Sequence, residues 1–314
     1  MCKQLIGGLL LVVCLFQSGC DADGVMAAVG QEREDFHFTK PLNAGGRFSI
    51  ENFNGSVEIS GWDRNEVEID GTKYARTKAY LDEVKIDVQS SANLLSIRTI
   101  PPVDRWNTNS GAKYVIRVPR RTVIDMAGSS NGHVKLDGVD GMAKIRTSNG
   151  GVTARSVKGM VEATTSNGNV ELEDVVGGVR VVTSNAWVHG DNLHGEFNAR
   201  TSNGGIRARL FDVPSNATVK AATSNGGVDL TLDRVRGDIR ASTSNSNITL
   251  RVPSSTNAQL DARTSNASVS SDLAVTGQRS NSKKHLEGTI GSGGPQIDLS
   301  TSNGSIRITK GASI

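Results

Sequence analysis

The chain has 314 residues, with 35 Gly, only 7 Pro and 4% aromatic residues, and its runs of Ser, Thr, Asn and Val favour strands and turns over helices, so composition points to an all-β protein. Basic and acidic residues nearly balance, 35 against 32, with no long block of one sign; this removes the electrostatic footprint of a nucleic-acid binder and indicates no polyanion partner. The length suffices to bury a sizeable core in one large or two ordinary domains.

Residues 1–20 read as an export signal: Lys3 supplies a positive start, the stretch from Leu5 to Phe16 is apolar but short for a membrane span, and the small residues Ser18 and Gly19 precede Cys20. Cys2 and Cys14 would leave with the signal, so Cys20 remains as the lone cysteine, which cannot serve an internal disulfide framework and suits a lipid-modified N-terminus. Residues Leu15 to Cys20 resemble the bacterial lipoprotein box, with Gln17 in place of the usual Leu. Ordinary signal cleavage is the alternative. Residues 21–34 lack strand alternation and read as a tether.

Residues 35–125 read as a less regular β section that also caps the structure. Phe48, Ile50, Val57, Ile59, Val67 and Ile69 alternate as in half-buried strands, and Val84 to Thr99 reads as a hairpin turning across Ser90 to Asn93. Pro101 to Ala112 reads as a surface loop.

Residues 126–314 repeat. Asn131, Asn149, Asn167, Asn185 and Asn203 are each 18 residues apart, and the series continues at Asn225, Asn245, Asn266 and Asn303, the last interval of 37 being long enough for two coils. Asn54 begins an earlier copy. Three residues after each asparagine stands Val or Ile, from Val57 to Ile306; four residues before, from Asn131 onward, stands a small or aliphatic residue. From Asn149 onward the position six before is also apolar, so one strand of each coil is half buried. A second turn falls at Gly141, Gly159, Gly177 and Gly195, two residues after Val139, Val157, Val175 and Leu193. Each 18-residue coil therefore holds two short strands and two turns, and coils stack about 4.8 Å apart as one continuous parallel β-solenoid. In the recurring Thr-Ser-Asn-Gly, Asn suits a corner because it tolerates left-handed backbone and Gly because it has no Cβ to clash there; stacked asparagines can also hydrogen-bond along the axis. Thr147, Thr165, Thr183 and Thr201 fall on the inward parity, placed to satisfy turn backbone groups. Val118-Pro119, Val213-Pro214 and Val252-Pro253 mark corners where coils widen, because Pro cannot donate to a ladder.

The lipobox-like start, the segment Phe48-Ser-Ile-Glu-Asn-Phe-Asn-Gly-Ser-Val-Glu-Ile-Ser-Gly-Trp-Asp63, the repeated Thr-Ser-Asn-Gly, and the ending from Gly288 to Ile306 together resemble the bacterial putative-adhesin proteins of the toast-rack-like β-solenoid families. The resemblance covers roughly residues 40 to 310. It implies an exported, noncatalytic protein of the cell envelope, and some relatives are associated with envelope-stress systems. The leading reading of the chain is a solenoid, membrane-tethered or otherwise exported, periplasmic or surface, that offers its long side to an envelope protein or glycan.

Sites for chemistry are few. Gly128-Ser-Ser-Asn-Gly132 fits the nucleophile-elbow pattern, but that elbow joins a strand to a helix, whereas Asn131 is in register with the repeat turns. His37, His133, His189, His194 and His285 show no metal-ligand spacing, and no phosphate-binding or calcium-binding repeat occurs. No catalytic residue, metal or cofactor is expected. Glu162, Glu171, Asp229, Asp261 and Asp298 are scattered over distant coils, whereas an acid and a base must converge on one face. A polysaccharide-active β-helix enzyme and a structural spacer or stress-linked ectodomain are the rival readings, and an exposed Trp187 or Trp106 beside an apolar patch would favour a binding partner. If Cys20 carries the lipid, a radiolabelled fatty acid marks the protein in growing cells and Cys20→Ala is unlabelled; labelling that survives the substitution removes the anchor.

Overall fold

The computed structural model describes residues 31–103 and 109–311; Cys20, the signal, the tether up to residue 30, and Trp106 lie outside them. Two long sheets of 13 and 14 strands enclose one core. In a regular coil, Val152–Lys158 of the first sheet turns at Gly159 into Val161–Thr164 of the second, and the turn through Thr165, Ser166, Asn167 and Gly168 returns the chain to Val170. Successive coils pair in parallel at the 18-residue offset, Val152 opposite Val170 and Val161 opposite Val179. The fold is therefore the expected all-β solenoid.

Register follows from burial: a slip by one residue would turn every apolar side chain to solvent. Val152, Val170, Val188 and Ile206 are buried, as are Ala163, Val181, Ala199 and Ala221 on the opposite sheet. Each buried Val or Ile contributes on the order of 1.5–3 kcal/mol relative to exposure. Val269 is only partly buried, because its strand Val269–Ser271 ends the first sheet and has no neighbour beyond it. Outward residues pair between coils instead: Glu162 lies between Lys144 and Arg180, 3.9 Å from each, and Arg155 meets Glu173 at 3.1 Å.

The prolines open the wider corners. Pro214 and Pro253 carbonyls accept from the amides of Ala217 and Thr256, and the Pro119 carbonyl accepts from the Thr122 hydroxyl, each three residues on.

The two ends depart from simple stacking. The interval between Asn266 and Asn303 holds one antiparallel hairpin, Val275–Ser282 with His285–Ile290, rather than two further coils. The chain then doubles back, and the last coil, Gln296–Thr301 and Ile306–Lys310, inserts between the coil of Ile239–Ser242 and Ile248–Val252 and the coil of Ala258–Thr264 and Val269–Ser271. At the other end, the coil of Arg47–Asn52 and Val57–Trp62 is likewise flanked by strands that follow it, Leu94–Ile100 and Gly111–Pro119 on one side and Val123–Ser129 and Val134–Asp137 on the other. The inserted coil carries the same kind of apolar columns, Ile297, Leu299 and Ile306, as its neighbours on either side.

The expected hairpin is present as Lys85–Ser91 and Leu94–Ile100. The strand Glu32–Pro41 begins within the segment expected as tether, paired antiparallel with Glu66–Ala75 and tied by Lys73 to Glu34 at 2.7 Å; its first residues are exposed on both faces, which is why they show no alternation. The expected division at 125/126 falls inside the strand Val123–Ser129. The described residues include one short helix, Lys78–Glu83, whose Tyr80 amide faces the Thr77 hydroxyl, and no helix among them is long and apolar enough to cross a membrane.

Truncation after Gly293 should remove an internal coil and leave two apolar strand edges facing a gap. The expected result is loss of the single cooperative thermal transition followed by circular dichroism; a truncated protein melting as the intact one does would show that the inserted coil is dispensable.

Candidate functional site

The Thr-Ser-Asn-Gly turns are bonded from coil to coil. The Thr147 hydroxyl accepts from its own Gly150 amide at 3.1 Å and donates to the Gly132 carbonyl of the preceding coil at 3.0 Å, and Thr165 does the same with Gly168 and Gly150. Ser129 and Asn52 take the threonine's place in the earliest coils, Ser129 donating to the Gly55 carbonyl and Asn52 to the Ala112 carbonyl. Ser130, at the nucleophile position of Gly128-Ser-Ser-Asn-Gly132, lies exposed in a turn that leads into the strand Val134–Asp137, not into a helix.

Outside this line the asparagine amides stack: Asn149 donates to Asn131, and Asn167, Asn185, Asn203, Asn225 and Asn245 each to the one before, at 2.7–2.8 Å. Asn303 then bonds Asn245, and Asn266 bonds Asn303, following the spatial rather than the sequence order. Asn131 turns to the Phe53 carbonyl and Asn54 to that of Ser110, so the Asn54 coil stands outside the amide ladder.

The expected left-handed backbone is absent from the turns of Asn131 to Asn303, though Gly55 after Asn54 has φ +110°. Positive φ occurs instead farther along each coil, seven residues after the asparagine at Ser156, Asp174 and Asn192 and nine after it at Asp212, and at corner glycines such as Gly177 (φ +129°). The turn glycine permits a close approach: on the present backbone a Cβ on Gly150 would lie 1.8 Å from the Gly132 carbonyl oxygen. Ala186, Ser246 and Ala267 replace that glycine in three coils. In the Ala186 coil the buried Thr183 hydroxyl has no hydrogen-bond partner.

The next residue is Trp187, a large aromatic side chain 40% exposed. Along the axis its column continues as Gly205, Gly227 and Asn247, and beside it runs His189, Arg207, Asp229 and Thr249, each opposite the next on adjoining strands. Together they line a shallow trough of about 570 Å³. The His189 ring meets the Trp187 indole edge-on, centroids 6.2 Å apart, while His194 stacks on Phe211 at 5.9 Å, so the two histidines of this coil act separately. Arg207 lies 3.7 Å from Asp229, which also bonds Arg251. Trp106, the other aromatic singled out from the sequence, lies outside the described residues.

Two clusters unite residues remote in sequence. Inserting the last coil sets Asp298 directly opposite Asp261, which corrects the expectation that these carboxylates stand on distant coils. Asp261 bonds Arg263, and that cation together with His285 holds its carboxyl below the usual range; Asp298 faces Arg240 at 3.7 Å and accepts from the Gln296 amide. Asp261 is therefore held as a paired anion and not poised as a proton donor, and Asp298 is engaged by Arg240 and Gln296. At the other end, the antiparallel register brings His37, Glu68 and Asp70 within 4.8 Å of one another. His37 is already bonded to Asp70 at 2.7 Å and Glu68 to Arg117 at 2.6 Å, so a cation would have to displace both pairings.

With this architecture in view, the family is evident: the chain belongs to the Toastrack DUF4097 family, which matches residues 43–309. Among solved structures it is similar to a putative adhesin from Bacteroides fragilis (14% identity, 88% of this chain and 97% of that chain, TM-score 0.35). It is also similar to a putative lipid binding protein from Parabacteroides distasonis (12%, 90% and 98%, 0.33) and a putative cell adhesion protein from Clostridium sporogenes (10%, 88% and 100%, 0.22). No curated protein matches the sequence.

The turn chemistry predicts a contrast between two threonines. Thr147→Val strands a buried amide and a carbonyl and should cost about 1–3 kcal/mol, whereas Thr183→Val removes a hydroxyl that bonds nothing and should be neutral or stabilising. Urea denaturation midpoints compare the two; equal losses would contradict the assigned bonds.

Proposed function

We propose that this protein is a noncatalytic, exported scaffold of the cell envelope, held to a membrane by a lipid on Cys20, that binds an envelope protein or glycan in the manner of an adhesin. The observation that carries the reading is the Trp187 trough. Much of the outward surface is occupied by charges that neutralise one another between coils, whereas here a large aromatic ring stands exposed beside bare backbone. A flat aromatic with a polar edge is the composition of a recognition surface rather than of a solvated spacer.

The enzyme reading has its best support in the facing Asp261 and Asp298, and their pairing with Arg263 and Arg240 weighs against it. Acid catalysis at a glycosidic bond needs a carboxyl kept protonated near neutral pH, and the cation beside Asp261 does the opposite.

Co-sedimentation of the purified protein with isolated envelopes tests the proposal. The expected result is saturable retention, weakened about tenfold by Trp187→Ala, the scale of a central aromatic contact, with no reducing ends released from envelope polysaccharide. Retention unaffected by Trp187→Ala would return the spacer reading, and release abolished by Asp261→Asn would return the enzyme.

A further inference from the structure

The glycines of the trough differ from those of the turns. A Cβ on Gly204 or Gly226 would lie 1.7 or 1.9 Å from a backbone oxygen of the preceding coil, so a side chain there requires the backbone to shift. At Gly205 and Gly227 the nearest atoms to an added Cβ are 3.3 and 3.4 Å away, and neither residue has positive φ. The fold thus does not demand glycine there, and the same column carries His133, Asn169 and Asn247 in other coils. Two consecutive bare positions adjoin the one tryptophan of the column and open a floor beside its ring.

The polar groups around this floor have bonding capacity to spare. The Trp187 indole N–H, both His189 ring nitrogens and the Thr249 hydroxyl have no hydrogen-bond partner among the described residues, and Asn247 uses only its Oδ1, accepting from the Ser305 amide at 2.8 Å. Arg207 and Asp229 bring one charge of each sign, so the lining offers no net attraction to a polyanion or a polycation. A ligand matching this surface has an apolar face for the indole, hydroxyls that both donate and accept around its edge, and no charge. From Trp187 to Asn247 the trough crosses three coil steps, roughly 14 Å at about 4.8 Å each, which suits several linked rings rather than one.

We propose that this trough is a binding site for a neutral oligosaccharide lying along the solenoid axis, one pyranose ring stacked on Trp187 and the following rings over Gly205 and Gly227, with their hydroxyls bonded by His189, Arg207, Asp229, Asn247 and Thr249. This deepens the envelope-scaffold reading and rests on it for the source of the glycan. Gly205 and Gly227 are its specificity-determining positions: they leave the space that the sugar fills.

The test is titration calorimetry of the intact protein with four neutral tetrasaccharides: cellotetraose, N-acetylated chitotetraose, maltotetraose and mannotetraose. The expected result is saturable binding of at least one, lost about tenfold or more in Trp187→Ala and equally in Gly205→Asn/Gly227→Asn. Asparagine is already accommodated in this column, so the double variant should keep the wild-type melting temperature. Binding of none of the four, or binding that the double variant leaves intact, overturns the proposal. The same tetrasaccharide, added to the envelope sedimentation assay, separates the two readings. Trp187-dependent retention that no sugar binds or competes overturns the glycan site and leaves the scaffold standing, and loss of both signals removes both.

Discussion

The coils of Thr147, Thr165, Thr201 and Thr223 are each fastened to the one before through a buried threonine whose hydroxyl accepts from its own turn and donates to the carbonyl of the preceding turn. Where glycine stands between these groups, as at Gly150, the two backbones approach so closely that an added methyl would meet the carbonyl unless the backbone shifted. With the turn held in this way, the backbone of each coil can only repeat the last, and the parallel ladders on both sheets continue in register from it. The asparagine amides outside the turn add a second line of bonds at the same spacing, in water rather than in the core. A polar chain of this kind is favourable only when nearly every member is satisfied, and the Thr183 hydroxyl marks the coil where glycine gives way to Ala186.

Register also governs the surface. Since every coil repeats the same backbone, residues at equivalent positions form straight columns along the axis, and a column's character is set by whatever residue types the coils happen to supply. Where opposite charges alternate, as in Lys144, Glu162 and Arg180, the column neutralises itself. Where tryptophan is followed by two glycines and an asparagine, the column becomes a ring beside an open floor. The trough therefore needs no loop or domain interface: it is a local change of composition on a rigid frame, and the frame is insensitive to it because outward residues contribute little to the core.

Most of the frame could be read from the chain. Intervals of 18 residues and the inward columns marked by Val152, Ala163 and Val161 predict two short strands per coil and identify which side chains are buried, because burial and strand alternation are local consequences of one pattern. The backbone chemistry of the turn was less accessible. Asparagine and glycine together signal left-handed corners in an isolated turn, but here they serve contact between coils, and the left-handed residues Ser156, Asp174 and Asn192 lie seven positions farther on, within the strand that leads to the second turn. The sequence singled out Trp187, with Trp106, as an aromatic whose exposure would favour a partner, yet its neighbours Gly205, Gly227 and Asn247 acquire meaning only once the offsets of 18, 22 and 20 residues are closed into adjacent coils.

By itself, the sequence determined that this protein is a stack of two-strand β coils with a recurring Thr-Ser-Asn-Gly turn, since those features repeat within one coil and depend on nearest neighbours. Only the tertiary structure decided the order of the coils at the ends, with Asn303 between Asn245 and Asn266, and with it the facing of Asp261 and Asp298. The physical reason is that equivalent coils present the same apolar columns and the same turn bonds on both faces, so local energetics accept any neighbour, and the choice is made by the hairpin that reverses the chain and by the closure of the whole stack.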